Sequence, residues 1–166
     1  MNLEPAPQRS CFLDRATVLT RLGLGALFVY MGWHKVLDPV AFMKMVRQYD
    51  MVQSSLVLNS IAAVLPWFEV FCGLLLLAGI AVRGTALVLI GMLAPFTFAV
   101  LHRALAIHAA QAIAFCAIRF DCGCGSGEEY ICVKLPVNCL LMLLSGWLLS
   151  GRGRRLCARY SVILNP

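Results

Sequence analysis

Charged residues are scarce in this chain of 166 residues, at 13% of the sequence, which is about half their share in a typical soluble domain. Hydrophobic residues account for 61% of the chain, and the mean hydropathy is +0.83. Disorder is excluded, because disordered chains combine little apolar sequence with much charge. The composition therefore predicts an integral membrane protein whose first partner is the lipid bilayer.

Two further absences narrow the class of protein. The net charge is +6, but apolar runs separate the basic residues and no dense basic stripe forms, so we expect no nucleic acid partner. Residues 1–15 contain acidic residues and lack the apolar core of a cleavable signal peptide. We therefore expect the first apolar run to act as an uncleaved membrane anchor.

Four apolar runs are long enough to cross a bilayer as helices, at residues 16–37, 61–80, 85–105 and 133–150. Because they are continuous rather than alternating, they exclude a membrane β-barrel. We predict one all-α domain over residues 1–166, a bundle of four transmembrane helices. The glycines in the runs permit close helix packing or simply reflect ordinary membrane-helix composition: Gly23, Gly25, Gly73, Gly79, Gly91 and Gly146.

The distribution of arginine predicts the orientation in the membrane. A cluster follows the fourth run, at Arg152, Arg154, Arg155 and Arg159. Since basic residues concentrate in cytoplasmic segments, we predict a multi-pass protein of the bacterial inner membrane with both termini in the cytoplasm. The two longer loops then face outward, to the periplasm.

The first outer loop carries an amphipathic pattern. Apolar residues recur every third position from Val40 to Tyr49, while Lys44 and Arg47 fall on another face. This pattern predicts a short amphipathic helix lying on the membrane surface.

The second outer loop contains four of the eight cysteines. Cys122 and Cys124 are separated by one residue, so they can close a small, strained disulfide that exchanges readily. Cys116 and Cys132 flank this pair, as resolving thiols or as a structural disulfide that staples the loop. A zinc site is disfavoured because paired C-x-x-C spacing is missing, and no metal is predicted. Outside the loop, Cys72 and Cys139 lie within the apolar runs and are predicted to pack there.

Polar residues inside or beside the runs suggest further roles. Glu69 lies within the second run, where a carboxylate is costly and usually functional. Glu69 and Arg21 are each predicted to be a proton relay or a polar packing group, and the candidate partners of Glu69 are Arg21, His102 and Arg103. Four side chains near the outer ends of the runs could form a quinone slot, or could be interfacial anchors and helix caps. They are Trp33, His34, Trp67 and His102.

The order of these motifs resembles that of the DoxX-like membrane proteins, especially their MauE branch, over residues 15–150. The matching landmarks are Lys35-x-x-Asp38-Pro39, Pro66-x-x-Glu69-x-x-x-Gly73, Arg83 and the Cys122-Gly-Cys124 motif. The resemblance implies a four-helix bundle. It also implies disulfide chemistry during maturation of periplasmic enzymes, or a place in a quinone-linked oxidoreductase. The MauE branch usually continues with Phe-Gly after the cysteine pair, whereas this chain has Gly125, Ser126 and Gly127.

Two functional hypotheses follow. The first is a membrane thiol–disulfide oxidoreductase in which Cys122 and Cys124 oxidise a periplasmic thiol protein and a quinone accepts the electrons. The second is a non-catalytic membrane subunit of a larger energy-transducing or oxidoreductase complex, with the cysteine loop as a stapled docking element. The reduction potential of the cysteine pair distinguishes the two hypotheses.

Overall fold

The computed structural model describes residues 8–49, 54–121 and 128–150, with the backbone alone for residues 8–14, 120 and 121. These ranges contain five α-helices: α1 Gln8–Leu37, α2 Pro39–Gln48, α3 Ser55–Ala78, α4 Val82–Gln111 and α5 Ile131–Leu149. Between α4 and α5 lie a 3-10 turn, Phe115–Ala117, and two short antiparallel strands, β1 Arg119–Asp121 and β2 Glu128–Tyr130. All the α-helices except α2 are long and apolar enough to cross a membrane. The predicted all-α membrane bundle is confirmed.

The bundle consists of two tightly packed helix pairs. α1 packs mainly on α3, and α4 packs mainly on α5, while α1–α5 and α3–α4 contacts join the pairs. All four spans contribute to one apolar core, which includes Phe28, Leu76, Leu89 and Leu148. The outward-facing residues of the spans are also largely apolar, as expected where the surrounding solvent is lipid rather than water.

Two glycines bring α1 and α3 into backbone contact. A Cβ atom added at Gly25 would lie 2.9 Å from the carbonyl oxygen of Gly73, and one added at Gly73 would lie 2.7 Å from that of Gly25. Glycine at these two positions therefore allows the close packing of α1 on α3. Added Cβ atoms at Gly23, Gly91 and Gly146 would meet nothing within 4 Å, so those glycines fit ordinary composition. Gly79 serves differently, because its positive φ of 72° ends α3.

Several helices extend beyond the predicted spans. α1 begins at Gln8, α3 begins at Ser55, and α4 continues to Gln111. The predicted spans that begin at residues 16 and 61 and end at residue 105 therefore cover only part of each helix. The physical reason is that hydropathy marks the apolar part of a helix, whereas hydrogen bonding continues the helix into polar sequence outside the hydrocarbon.

The predicted amphipathic helix is present as α2. It begins at a strong N-terminal signal, since the Asp38 carboxylate accepts a hydrogen bond of 2.9 Å from the amide of Ala41 and Pro39 occupies the first turn. Phe42 and Tyr49 are buried, whereas Val40 is 54% exposed. The predicted three-residue face is therefore wrong in part, because a helix repeats every 3.6 residues and the buried face drifts away from Val40.

The close approach of α1 and α3 generates a stability prediction. Gly25→Ala should lower the free energy of unfolding by about 1–3 kcal/mol, because the new methyl group meets a backbone oxygen that cannot move aside. Gly23→Ala is the matched control, since the same change in the same helix points into open space. Unfolding in mixed micelles measures both variants. Equal effects at the two positions would show that this contact does not hold the helices together.

Candidate functional site

α2 and the β-hairpin lie at the same end of the bundle. Because successive spans run antiparallel, the end of α1, the start of α3, the end of α4 and the start of α5 lie together with α2 and the β-hairpin. We call this the hairpin end. Tyr49 after α2 confirms the arrangement, as it packs with Val100 of α4, Ile118 before the hairpin and Ile131 of α5.

A buried ion pair joins α1 and α3 at the hairpin end. The Lys35 Nζ donates to both carboxylate oxygens of Glu69, at 2.6 and 2.7 Å. The two side chains are only 5% and 9% exposed. The same ammonium lies 5.2 Å from the centre of the buried Phe42 ring, so a carboxylate and an aromatic face both contact it. α1, α2 and α3 therefore meet at one charged point.

Two sequence motifs form the two sides of this ion pair. They are Lys35-x-x-Asp38-Pro39 at the end of α1 and Pro66-x-x-Glu69-x-x-x-Gly73 in α3. One turn before Lys35, an added Cβ on Gly32 would lie 2.8 Å from the Pro66 carbonyl oxygen and 3.0 Å from the Glu69 Cβ. Only glycine at this position allows α1 close enough for the lysine to reach Glu69. Asp38 then caps α2, which carries Phe42 to the ammonium.

The ion pair corrects the predicted partner of Glu69. Arg21, His102 and Arg103 were the candidates, but the structure pairs Glu69 with Lys35. Arg21 is buried lower in α1, about 21 Å from Lys35 along the axis at 1.5 Å per residue. Lys35 was missed because a lysine in the last turn of a span resembles an interfacial anchor. The sequence did contain a signal for this partner. Consecutive spans run antiparallel, so the end of α1 lies beside the start of α3. The proton-relay role of Glu69 and Arg21 stays a prediction.

A disulfide closes the base of the β-hairpin. Cys116 and Cys132 are bonded, with their Cα atoms 5.1 Å apart. This is the stapling arrangement among the alternatives for the two residues. It also occupies two of the four thiols that a zinc site in the loop would need. The role of Cys116 and Cys132 as resolving thiols is not tested by their pairing.

The hairpin leads directly into the segment that carries Cys122 and Cys124. Its register places Arg119 opposite Tyr130, Phe120 opposite Glu129, and Asp121 opposite Glu128. Cys122 and Cys124 themselves lie outside the described residues. The chain therefore enters their segment from a paired strand, at Asp121, and returns to one at Glu128.

Charged side chains occupy both faces of the hairpin. Arg119 places its guanidinium 4.0 Å from the centre of the Tyr130 ring and donates a hydrogen bond to its hydroxyl. Glu129 instead forms an ion pair of 3.0 Å with Lys134, which is buried near the start of α5. Sequence analysis did not single out this second pair, although a lysine within the fourth run was a signal for it.

The four candidate quinone residues lie on the outer surface of the bundle. Trp33 and Trp67 are 51% and 57% exposed, and His34 and His102 are exposed as well. The described ring contacts of the histidines are within their own helices, where His34 lies 4.5 Å from Tyr30 and His102 lies 6.3 Å from Phe98. Their exposure places these side chains outside the core of the bundle. Their role in binding it stays a prediction.

The two cysteines within the spans differ in their environments. Cys72 is buried in the core of the bundle, so its predicted packing role is confirmed. Cys139 is exposed on the surface of α5, so the same prediction is wrong for it. A small polarisable thiol is tolerated on a lipid-facing surface as well as in a core.

Comparison with known proteins gives one match. The family profile described as methylamine utilisation protein MauE matches residues 13–151, a range that includes both ion pairs and the hairpin. No curated protein and no solved structure gives a significant match.

The Lys35–Glu69 pair generates a prediction about stability. Lys35→Met or Glu69→Gln alone should lower the free energy of unfolding by about 3–5 kcal/mol, because each leaves a buried charge without its partner. The double variant Lys35→Met with Glu69→Leu should recover most of this loss, since it removes both charges. Unfolding in detergent measures all three variants.

The same double variant tests the relay role of Glu69. If the folded double variant still supports thiol oxidation at the wild-type rate, Glu69 is a packing group and the relay prediction is wrong. Single variants as stable as wild type would contradict the structural role of the pair.

Proposed function

Because this chain belongs to the family of the methylamine utilisation protein MauE, we propose that it is a membrane thiol–disulfide redox protein. Cys122 and Cys124 form its exchanging pair. The observation that carries the proposal is the Cys116–Cys132 disulfide. Four cysteines in one loop allow three pairings, and once Cys116 is bonded to Cys132 the remaining pair of the loop is Cys122 with Cys124.

The chemistry proceeds in two balanced steps. In the first, a thiolate of the substrate attacks the Cys122–Cys124 disulfide, and a second substrate thiol resolves the mixed disulfide. The substrate leaves as a disulfide, and Cys122 and Cys124 become thiols. In the second step the two thiols return to the disulfide and release two electrons and two protons, which reduce a quinone to a quinol.

The placement of the pair favours a substrate outside the membrane. The hairpin end lies opposite the termini, and the arginine cluster from Arg152 to Arg159 favours a cytoplasmic side for the termini. The hairpin end then faces the periplasm of a bacterial inner membrane, where disulfides persist. The family name leads us to propose, as the substrate, a periplasmic protein of methylamine utilisation whose cysteines are oxidised after export. A place within the wider DoxX-like group stays a prediction.

The second candidate is a non-catalytic subunit of a larger membrane complex. The same Cys116–Cys132 staple favours it, because a hairpin closed at its base is also a well-formed docking element. In that case the Cys122–Cys124 segment contacts a partner subunit and does not exchange electrons.

The reduction potential separates the two candidates. We expect the Cys122–Cys124 couple of the purified protein to lie above about −300 mV, the upper range of structural disulfides, and to be reoxidised by a quinone. Cys122→Ser and Cys124→Ser should each abolish thiol oxidation while the bundle remains folded, because the spans hold the fold without the loop. Redox titration with and without quinone is the measurement.

Cys139→Ser serves as the matched control for these substitutions. It removes a free, exposed thiol about two helical turns after Cys132 on α5 and should leave the couple unchanged. A couple below about −300 mV that quinone does not reoxidise would overturn the oxidoreductase proposal and favour the complex subunit.

The orientation is tested with an impermeant thiol reagent on intact cells. After mild reduction, the reagent should label Cys122 or Cys124 and leave Cys157 unlabelled, with peptide mass spectrometry as the measurement. Permeabilised cells, in which Cys157 becomes labelled, provide the control. The reverse pattern in intact cells would invert the proposed topology.

A further inference from the structure

Lys134 is a buried cation near the start of a membrane span. Its side chain is 6% exposed, and its Nζ lies 3.0 Å from a carboxylate oxygen of Glu129, whose side chain is 30% exposed. A lysine near the end of a span ordinarily extends its amino group toward water. Here the hairpin carboxylate comes to the lysine instead, so the contact draws β2 onto α5.

The depth of Lys134 in the bundle follows from helix geometry. At the opposite end, the Trp147 indole donates a hydrogen bond of 3.1 Å to the Thr17 hydroxyl, which aligns α1 with α5. From that level, Lys134 lies about 20 Å along α5 at 1.5 Å per residue. Glu69 lies about 18 Å above the same level, counted through the Gly25–Gly73 contact. The hairpin is therefore attached at the depth where α1 and α3 are joined by their own ion pair.

β2 runs directly into α5 at Ile131, and two further contacts join the hairpin to this helix. The Cys116–Cys132 disulfide ties the segment before β1 to the first turn of α5, and the Glu129–Lys134 pair ties β2 to the same helix. A two-stranded hairpin is marginally stable alone. The disulfide holds the chain before β1, whereas the ion pair crosses the junction of β2 with α5 and fixes the angle between the strand and the helix.

The ion pair also lies close to the cysteine segment along the chain. Glu129 is adjacent to Glu128, the strand residue that follows the segment carrying Cys122 and Cys124. Along β2, Glu129 is partly buried while Glu128 and Tyr130 are exposed. The alternation turns one carboxylate toward Lys134 and leaves its neighbour exposed. An ion pair at Glu129 therefore sets the direction from which the chain leaves the cysteine segment.

We propose that Lys134 is a positioning residue for thiol exchange, which acts through Glu129 to hold the Cys122–Cys124 segment in the orientation that meets the substrate. This inference rests on the proposed function and deepens it. Because orientation of reacting groups affects rate strongly, loss of the pair should slow exchange on the order of 10–100-fold. The reduction potential of the cysteine pair should stay unchanged, because the residues that form the disulfide are untouched.

The central variant is Lys134→Met, which keeps much of the side-chain volume. The Glu129 side chain is 30% exposed, so water can solvate its carboxylate and the fold should survive. Glu129→Gln tests the other side of the pair. The exchanged pair, Lys134→Glu with Glu129→Lys, should restore much of the rate, since the shorter side chain on α5 is matched by a longer one on β2. Glu128→Gln is the matched control, because it neutralises the adjacent exposed carboxylate and should leave the rate unchanged.

Three measurements on the full-length protein in detergent test the positioning role of Lys134. They are the rate of oxidation of a reduced cysteine-containing peptide, the reduction potential of the Cys122–Cys124 couple, and hydrogen exchange of the hairpin amides. The proposal is supported if Lys134→Met shows slower oxidation and faster hydrogen exchange with an unchanged reduction potential. The double variant Lys134→Glu with Glu129→Lys should then recover the oxidation rate.

Lys134→Met with wild-type oxidation and wild-type hydrogen exchange would overturn the positioning role and leave the proposed function intact. An unfolded Lys134→Met protein, or slow oxidation that the exchanged pair does not restore, would also count against positioning. A wild-type protein that oxidises no peptide would reject the proposed function instead, and in that case hydrogen exchange still reports whether the ion pair holds the hairpin.

Discussion

A charge buried within a membrane bundle must have a partner, and the Lys35–Glu69 pair shows how much structure follows from that requirement. The lysine can reach the carboxylate only because Gly32 lets α1 approach the backbone of α3 at Pro66. The loop after α1 then has to begin a new helix immediately, which Asp38 and Pro39 accomplish. That helix brings Phe42 to the ammonium, so the ion pair fixes three elements at once.

The two ends of the bundle use different interactions. Toward the termini, the spans meet through apolar side chains and through the direct Gly25–Gly73 approach. Lipid removes most of the hydrophobic drive between helices, so close backbone contact provides the attraction there. At the hairpin end, two ion pairs and a disulfide add to the apolar packing around Tyr49. Polar chemistry is thereby concentrated where the Cys122–Cys124 segment joins the bundle.

The sequence predicted the spans but not how their residues pair. Hydropathy is a local property, so four runs of apolar residues sufficed to predict four membrane helices. Whether Glu69 meets Lys35 or Arg21 depends on the register of α1 against α3, which no local pattern contains. The predicted apolar face of α2 was wrong in part for a related reason. A three-residue spacing that includes Val40 differs from the helical repeat of 3.6 residues. The Cys116–Cys132 pairing was foreseen only as one alternative, since spacing alone does not fix connectivity.

The disulfide and the ion pair at the base of the hairpin respond to different chemistry. A thiol–disulfide exchange that reached Cys116–Cys132 would open the base of the hairpin. The Glu129–Lys134 pair has no sulfur and is unaffected by reductant, so it would keep the angle between β2 and α5 throughout. An ion pair is in turn weakened by salt only where it is exposed, and Lys134 is buried. Under the proposed function, the Cys122–Cys124 segment would therefore change its redox state while the ion pair still holds β2 at a fixed angle to α5.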